Sequence, residues 1–155
     1  VKVVISNKRK AKGLIIAKKN KIKRYCIDFT QSKRLGKKVL SILKNNNIKL
    51  ICLAGFMKIL PAYFIKLYKG KIINIHPSLL PKYKGLNTHK RVLENNDDIT
   101  GCTVHYVNNE LDGGEIIVQK NVNVDAIDTV TTLADKVLKQ ENLIYPEAIK
   151  MVLRK

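Results

Sequence analysis

The chain has 155 residues, of which 45% are hydrophobic, so it is long and apolar enough for one globular domain and unlike a disordered tail. Its apolar runs are far shorter than the roughly 20 residues that cross a bilayer, and no apolar secretory signal stands near the start, which together predict a cytoplasmic protein. The net charge is +18, of which residues 1–93, with Asp28 as the single acid, carry +23 and residues 94–155 carry −5. Either an anionic partner or a gene rich in A/T codons explains such a block of lysines.

The first part of the chain predicts strands and helices in alternation. Apolar or β-branched runs predict strands over residues 1–6, 22–27 and 49–54. Apolar side chains at helical spacing predict helices over residues 11–20 and 31–46. The strand over residues 49–54 is nearly all apolar, which is typical of a strand that is covered on both faces.

The middle of the chain continues this alternation. Pro61 is suited to the first position of a helix that Gly70 ends, and residues 71–75 predict another buried strand. Residues 76–86 contain two prolines and a glycine and therefore predict an ordered loop. A helix over residues 88–95 follows this loop.

The last part of the chain predicts two paired strands and a long helix. Residues 103–107 and 116–124 flank a pair of glycines, which predicts a hairpin-like pair, and residues 130–153 predict a helix that bends near Pro146. The complete order predicts an α/β fold, a mostly parallel twisted sheet flanked by helices, in a single domain over residues 1–155. Ligands of such sheets bind beyond the carboxyl ends of the strands.

Asn74 and His76 stand at the carboxyl end of a predicted strand, at alternate positions that share one face. An amide donor beside an imidazole can stabilise a developing oxyanion, and the imidazole can also move a proton. The plainer interpretation is that His76 is an ordinary hydrogen-bonded polar residue. The occurrence of Asn74 and His76 together before a proline-stiffened loop modestly favours a catalytic role for the two residues.

Asp112 precedes Gly113 and Gly114, and aspartate is common in turns, so its plainer interpretation is a turn residue. A carboxylate close to His76 would instead favour the imidazolium and complete a catalytic pair. The sequence leaves both interpretations open, because it does not show which residues are adjacent in space.

The other reactive side chains predict neither a metal site nor a hydrolase. His89 and His105 have no metal-ligand spacing with His76. Ser78 lacks the glycine-flanked context of a hydrolase nucleophile. The cysteines are odd in number and have no C-x-x-C spacing, so they predict reduced, buried thiols at Cys26, Cys52 and Cys102.

An apolar loop follows the strand over residues 49–54. Its apolar side chains are Phe56, Met57, Ile59 and Leu60. The plainer interpretation is that they pack in the core, and the functional one is that they form a wall for a flat aromatic ligand. Composition alone does not choose between the two.

Five segments together resemble a known family. Residues 74–85 read N-I-H-P-S-L-L-P-K-Y-K-G and L-N-T-H follows, while L-A-G-F-M-K-I-L stands at residues 53–60. T-V-H-Y-V, E-L-D-G-G and Q-E-N-L-I-Y-P follow at residues 103–107, 110–114 and 140–146. The combination resembles the phosphoribosylglycinamide formyltransferases, the glycinamide ribonucleotide transformylases of purine biosynthesis, over essentially the whole chain. The resemblance implies their Rossmann-like formyltransferase fold.

The resemblance also implies a reaction. A formyl group would pass directly from 10-formyltetrahydrofolate to the amine of glycinamide ribonucleotide, through a tetrahedral intermediate and without a metal. Asn74 and His76 would hold the oxyanion. Asp112 would favour the imidazolium and relay the proton of the attacking amine.

The resemblance implies two small-molecule sites. The short apolar runs predict no membrane partner, and an aromatic content of 6% without an RNA-binding motif disfavours a nucleic-acid partner. The implied folate-binding residues are Met57, Lys58, Ile59, Leu60 and Asn74. The implied ribonucleotide-binding residues are Glu141 and Pro77.

The sequence departs from this family in several places, and two of these departures affect ligand binding most. Residues 1–8 resemble the family's second strand, so we expect an N-terminally truncated domain without the first strand and the phosphate-binding loop. A family arginine that contacts the folate tail falls near Ser32, where Lys33 or Arg34 is the expected substitute. The alternatives are another folate-dependent formyltransferase or a deformylase, and an inactive remnant that binds anions.

Overall fold

The computed structural model describes residues 1–27 and 32–154, without the side chains of residues 32–35. Helices and strands alternate through most of these residues, which confirms the predicted α/β fold class. The chain divides into two compact units. Unit 1 comprises Val1–Lys49 with Leu60–Gly70, and unit 2 comprises Leu50–Ile59 with Lys71–Lys155. The single domain over residues 1–155 stays a prediction.

Unit 1 contains a short pair of parallel strands. Its elements are β1 (Val3–Ser6), α1 (Lys12–Lys19), β2 (Lys23–Cys26), α2 (Ser32–Asn45) and α3 (Ala62–Leu67). Parallel strands need a crossover connection, which α1 supplies between β1 and β2. Gly36 lets α2 approach α3 closely, because a Cβ at this position would lie 2.1 Å from the hydroxyl oxygen of Tyr63. The buried apolar side chains of these helices are Leu14, Ala17, Val39, Leu43 and Phe64.

Unit 2 is built on a four-stranded sheet. Its elements are β3 (Leu50–Leu53), β4 (Lys71–His76), α4 (Thr88–Glu94), β5 (Ile99–Tyr106), β6 (Ile116–Asn123) and α5 (Val130–Arg154). The strand order is β3-β4-β5-β6, in which β3 and β4 are parallel and β4, β5 and β6 are antiparallel. The predicted hairpin-like pair is therefore confirmed as β5 and β6.

One face of this sheet packs against α5. Strand alternation gives this face apolar side chains from β4 and β5, and they cluster with apolar side chains of α5. The cluster consists of Ile73, Ile75, Cys102, Val104, Val137, Ile144, Ala148 and Val152. The Tyr145 hydroxyl on α5 donates a hydrogen bond of 2.7 Å to the carbonyl of Leu53. The opposite face carries the polar side chains of β4 and β5, so α5 covers one face and leaves the other for the candidate site.

The start of β5 differs from the prediction, because β5 begins at Ile99 and not at residue 103. Gly101 weakens a strand prediction, since glycine has no side chain to pack. In the sheet a Cβ at Gly101 would lie 2.0 Å from the carbonyl oxygen of Lys120, so the missing side chain is what lets β6 pair this closely.

The predicted burial of the cysteines is confirmed for Cys102 and wrong for Cys26 and Cys52, which are exposed. Among the described strands, β2 pairs only with β1, and β3 is an edge of the four-stranded sheet. Edge positions have fewer neighbouring residues to cover a side chain, which an apolar sequence run does not reveal. Within residues 1–27 and 32–154, none of the helices has the length and apolar character needed to cross a membrane.

Candidate active site

The end of β4 supplies Asn74 and His76 to the face opposite α5. In the sheet register, Asn74 pairs with His105 of β5, and His76 pairs with Thr103. Paired residues of adjacent strands share a face, so these four polar side chains lie together, as the sequence predicted for Asn74 and His76. His76, Thr103 and His105 are all buried.

Asp112 joins this group from the loop between β5 and β6. Its carboxylate oxygen Oδ2 accepts a hydrogen bond of 2.9 Å from the backbone N–H of Gly85 and lies 3.4 Å from Nδ1 of His76. Its φ of 46° is in the left-handed region that aspartate tolerates in turns. Asp112 is therefore both a turn residue and a charged neighbour of His76, which joins the two interpretations that the sequence left open.

The imidazole of His76 has an oxygen acceptor at each nitrogen. Nε2 lies 2.9 Å from the carbonyl oxygen of Tyr83, which can only accept, so Nε2–H donates there. The Asp112 carboxylate then stands at Nδ1. A ring that carries a proton on both nitrogens satisfies both acceptors, and such an imidazolium can stabilise negative charge on a nearby substrate.

Thr103 ties the proline-containing loop to the sheet. Its hydroxyl donates to the carbonyl of Ser78 at 2.7 Å and accepts from the backbone N–H of Leu80 at 3.0 Å and from the Gln119 amide at 2.9 Å. The hydroxyl of Ser78 is buried and donates to the carbonyl of Lys82 at 2.6 Å. These hydrogen bonds hold the backbone around Tyr83 in place for its contact with His76. The Ser78 hydroxyl is used in a structural hydrogen bond within the loop.

His105 belongs to the group, although the sequence singled it out only as a poor metal ligand. Its Nδ1 lies 2.8 Å from the carbonyl oxygen of Tyr106, and its Nε2 lies 3.3 Å from the amide nitrogen of Asn74. Its Nε2 also lies 3.7 Å from Oδ1 of Asp112. The pairing of β5 with β6 shifts register between Val104 and His105, an irregularity common beside functional sites that the sequence pattern does not reveal.

The loop after β3 begins at the same end of the sheet as Asn74, because Leu53, the last residue of β3, pairs with Asn74. Met57 and Ile59 are 73% and 74% exposed, so the interpretation that they pack in the core is wrong. Lys58 is also exposed, whereas Leu60 is half-buried and belongs to unit 1. Two exposed apolar side chains beside a polar cluster suit an apolar ligand.

The predicted ribonucleotide residues lie apart from each other along the fold. Pro77 directly follows His76, and Glu141 lies on α5 beside Cys102, whose side chain belongs to the apolar cluster on the opposite face. Burial raises the pKa of the Glu141 carboxyl. Burial, with a smaller contribution from Glu141, raises the pKa of the Cys102 thiol to about 12.

The remaining predicted positions add no further group to the site. His89 has a buried Nδ1 without a hydrogen-bond partner, and burial lowers its pKa, with a smaller contribution from His76. In the described part of the chain, no three histidine, cysteine or acidic side chains are grouped to hold a metal ion. The side chains of Ser32, Lys33 and Arg34, where a contact to the folate tail is expected, lie outside the described residues.

The chain is similar in sequence and structure to known proteins. The formyl transferase family matches residues 1–149. The "Trifunctional purine biosynthetic protein adenosine-3" of Gallus gallus is 45% identical over 153 residues, which are 97% of this chain and only 15% of that protein. The phosphoribosylglycinamide formyltransferase of Haemophilus influenzae is 43% identical over 95% of this chain and 71% of that protein. The crystal structure of phosphoribosylglycinamide formyltransferase from Anaplasma phagocytophilum gives a TM-score of 0.92 at 41% identity, over 99% of this chain and 74% of that one.

Proposed function

Because the chain belongs to the formyl transferase family, we propose that it transfers a formyl group to the amine of glycinamide ribonucleotide in purine biosynthesis. The names of its relatives in Haemophilus influenzae and Gallus gallus support this acceptor and this pathway. The proposed donor is 10-formyltetrahydrofolate, which acts as a second substrate. The proposed compartment is the cytoplasm, as the sequence predicts, and residues 1–155 are proposed to act as one formyltransferase domain.

The observation that carries this proposal is the convergence of Asn74, His76 and Asp112 at the end of β4. Asn74 and His76 share a face of the sheet, and the Asp112 carboxylate lies 3.4 Å from Nδ1 of His76. This arrangement combines an amide donor, an imidazole and a carboxylate, which can stabilise an oxyanion and move a proton during formyl transfer to an amine.

In the proposed reaction the amine nitrogen of the ribonucleotide attacks the formyl carbon of the donor. A new C–N bond forms, and the formyl oxygen becomes an oxyanion to which the Asn74 amide donates a hydrogen bond and which the positive charge of a His76 imidazolium stabilises. The oxyanion then returns to a carbonyl as the C–N bond to the folate breaks. Asp112 relays the amine proton through water, and this proton ends on the departing folate nitrogen.

The substrates are proposed to contact the ends of the strands from two sides. The exposed Met57 and Ile59 are suited to the flat pterin ring. Lys58, Leu60 and Asn74 are the other folate contacts that the resemblance implies. Glu141 and Pro77 are the proposed ribonucleotide contacts.

A transfer assay tests the proposal. The 155-residue chain is incubated with 10-formyltetrahydrofolate and glycinamide ribonucleotide, and tetrahydrofolate and formylated ribonucleotide are measured. We expect His76→Ala and Asn74→Ala each to lower kcat by about 10² to 10³, because Asn74→Ala removes a donor to the oxyanion and His76→Ala removes the positive charge proposed to stabilise it. The matched control is Thr100→Val, which changes a buried hydroxyl on β5 that has no hydrogen-bond partner.

The products also separate this reaction from its alternatives. A deformylase would release formate in the absence of the ribonucleotide, and another formyltransferase would label a different amine. Transfer that is absent from the chain, or that is unchanged in both variants, would contradict the proposal.

A further inference from the structure

The two ring nitrogens of His105 have different partners. Nδ1 lies 2.8 Å from the carbonyl oxygen of Tyr106, and Nε2 lies 3.3 Å from the side-chain nitrogen of Asn74. A carbonyl oxygen can only accept a hydrogen bond, so the Nδ1 of His105 must carry a proton and donate it. The role of Nε2 then depends on whether the ring carries a second proton.

Burial keeps that second proton off the ring. His105 is 2% exposed, and burial lowers its pKa, with smaller contributions in the same direction from His76 and Lys84. The hydrogen bond to Tyr106 and the charge of Asp112 act in the opposite direction without reversing the shift. At neutral pH the Nε2 of His105 therefore presents a lone pair to its neighbours.

This lone pair decides which way the Asn74 amide faces. If the amide were turned over, its oxygen would lie against the Nε2 lone pair, and two acceptors would meet inside the fold. With the amide nitrogen toward His105, one N–H of Asn74 bonds to Nε2. An amide nitrogen has two N–H groups, so the second one remains for a substrate.

We propose that His105 is a positioning residue for formyl transfer: its Nε2 accepts one N–H of Asn74 and thereby keeps the other N–H available to the oxyanion. The role in transfer rests on the proposed function, but the hydrogen bond itself does not. The fixed amide lowers the cost of aligning the donor when the oxyanion forms, since preorganised donors need no reorientation.

Two variants separate this role from simple packing. Glutamine at this position sets an amide oxygen near the place of Nε2 and keeps an acceptor for Asn74, whereas asparagine sets its amide near the place of Nδ1 and does not. We expect His105→Asn to lower kcat by about tenfold with both KM values within about twofold. We expect His105→Gln to keep kcat within about threefold of the unchanged chain.

The melting temperature of each variant is measured beside its kcat, with Thr100→Val as the control for a change on the same strand. An equal fall of kcat in both variants, in step with the melting temperature, would mean that His105 only packs. A wild-type kcat in His105→Asn would overturn the proposal as well.

Nitrogen-15 NMR of the unaltered chain tests the hydrogen bond without any variant. We expect the Nε2 of His105 to resonate as an unprotonated nitrogen at pH 7.5, and one Asn74 amide proton to exchange slowly with water. A protonated Nε2, or two fast-exchanging amide protons, would overturn the proposal. If the chain transfers no formyl group, the proposed function fails while this spectrum still decides the hydrogen bond.

Discussion

The carboxylate of Asp112 lies 3.4 Å from Nδ1 of His76, with the two side chains only 11% and 6% exposed. One residue belongs to the turn between β5 and β6, and the other ends β4. Shielding from water strengthens the attraction between a carboxylate and an imidazolium, because less solvent screens the two charges. The Asp112 carboxylate thus lies where it can stabilise positive charge on the His76 ring in the proposed reaction.

Replacement of Asp112 by asparagine tests this charge. Asparagine keeps an oxygen that can accept the N–H of Gly85, so the turn should persist while the negative charge beside His76 disappears. We expect kcat for formyl transfer to fall by about 10² and the melting temperature to change little. An unchanged kcat would show that the Asp112 charge has no part in the reaction. A large fall in melting temperature would show that Asp112 mainly stabilises the fold.

Substitutions in the exposed apolar loop after β3 should affect the KM for the proposed folate donor selectively. Met57→Ser and Ile59→Ser remove apolar side chains that are 73% and 74% exposed, so the fold should lose little. We expect the KM for 10-formyltetrahydrofolate to rise by about tenfold in the double variant, because buried apolar contact with the pterin ring is lost. The KM for the ribonucleotide is the internal control. Equal changes in both KM values would contradict a folate-specific role.

The three cysteines should react with thiol reagents in a fixed order. Cys26 and Cys52 are exposed, and Cys102 is buried with its pKa raised by burial, and secondarily by Glu141, to about 12. Burial also raises the pKa of Cys52, so its reactive thiolate is scarcer. At pH 7.5 we expect Cys26 to be labelled first and Cys52 second, with Cys102 labelled only after unfolding. Mass spectrometry of the labelled peptides gives the order, and early labelling of Cys102 would contradict its burial.

The buried histidines predict that the chain loses stability in weak acid. Burial lowers the pKa of His105 and of His89 below the ordinary value of 6.5, so the unfolded chain binds more protons than the folded chain as the pH falls below that value. The stability that the neutral rings provide is therefore present above pH 6.5 and declines below it. For His105 the facing charged groups are Asp112, His76 and Lys84.

Urea unfolding at pH 7.5, 6.0 and 5.0 measures this decline. His105→Gln has no titrating ring, so its unfolding free energy should depend less on pH than that of the unaltered chain. Thr100→Val keeps both histidines and should retain the full dependence. Parallel curves for the unaltered chain and His105→Gln would contradict the prediction.

Replacement of Tyr145 should lower the free energy of unfolding without lowering kcat. Its hydroxyl donates to the carbonyl of Leu53 at 2.7 Å and lies 3.3 Å from the carbonyl oxygen of Ile73, which links α5 to β3 and β4. Tyr145→Phe keeps the ring and removes this bond, so we expect the free energy of unfolding to fall by about 1 to 2 kcal/mol. The kcat should stay near that of the unaltered chain. No change in urea unfolding would mean that water replaces the lost partner at no cost.

The order of strands and helices could be predicted from the sequence because it depends on local patterns. Each strand and helix has its own period of apolar side chains, and neighbours along the chain suffice to show it. The same local rule places Asn74 and His76 on one face of β4, since alternate positions of a strand share a face. The sequence by itself thus determined the α/β fold class, the position of these two residues and the motifs of the formyltransferase resemblance.

Only the tertiary structure decided which distant residues meet. The contact of Asp112 with His76, and that of His105 with Asn74, depend on the register of β4, β5 and β6, which contains a shift at His105. Burial could not be predicted from a local sequence pattern either, because Cys52 and Met57, which stand in apolar runs, are exposed. The physical reason is that register and exposure depend on all the elements that pack around a residue, whereas periodicity depends only on the residues beside it in the chain.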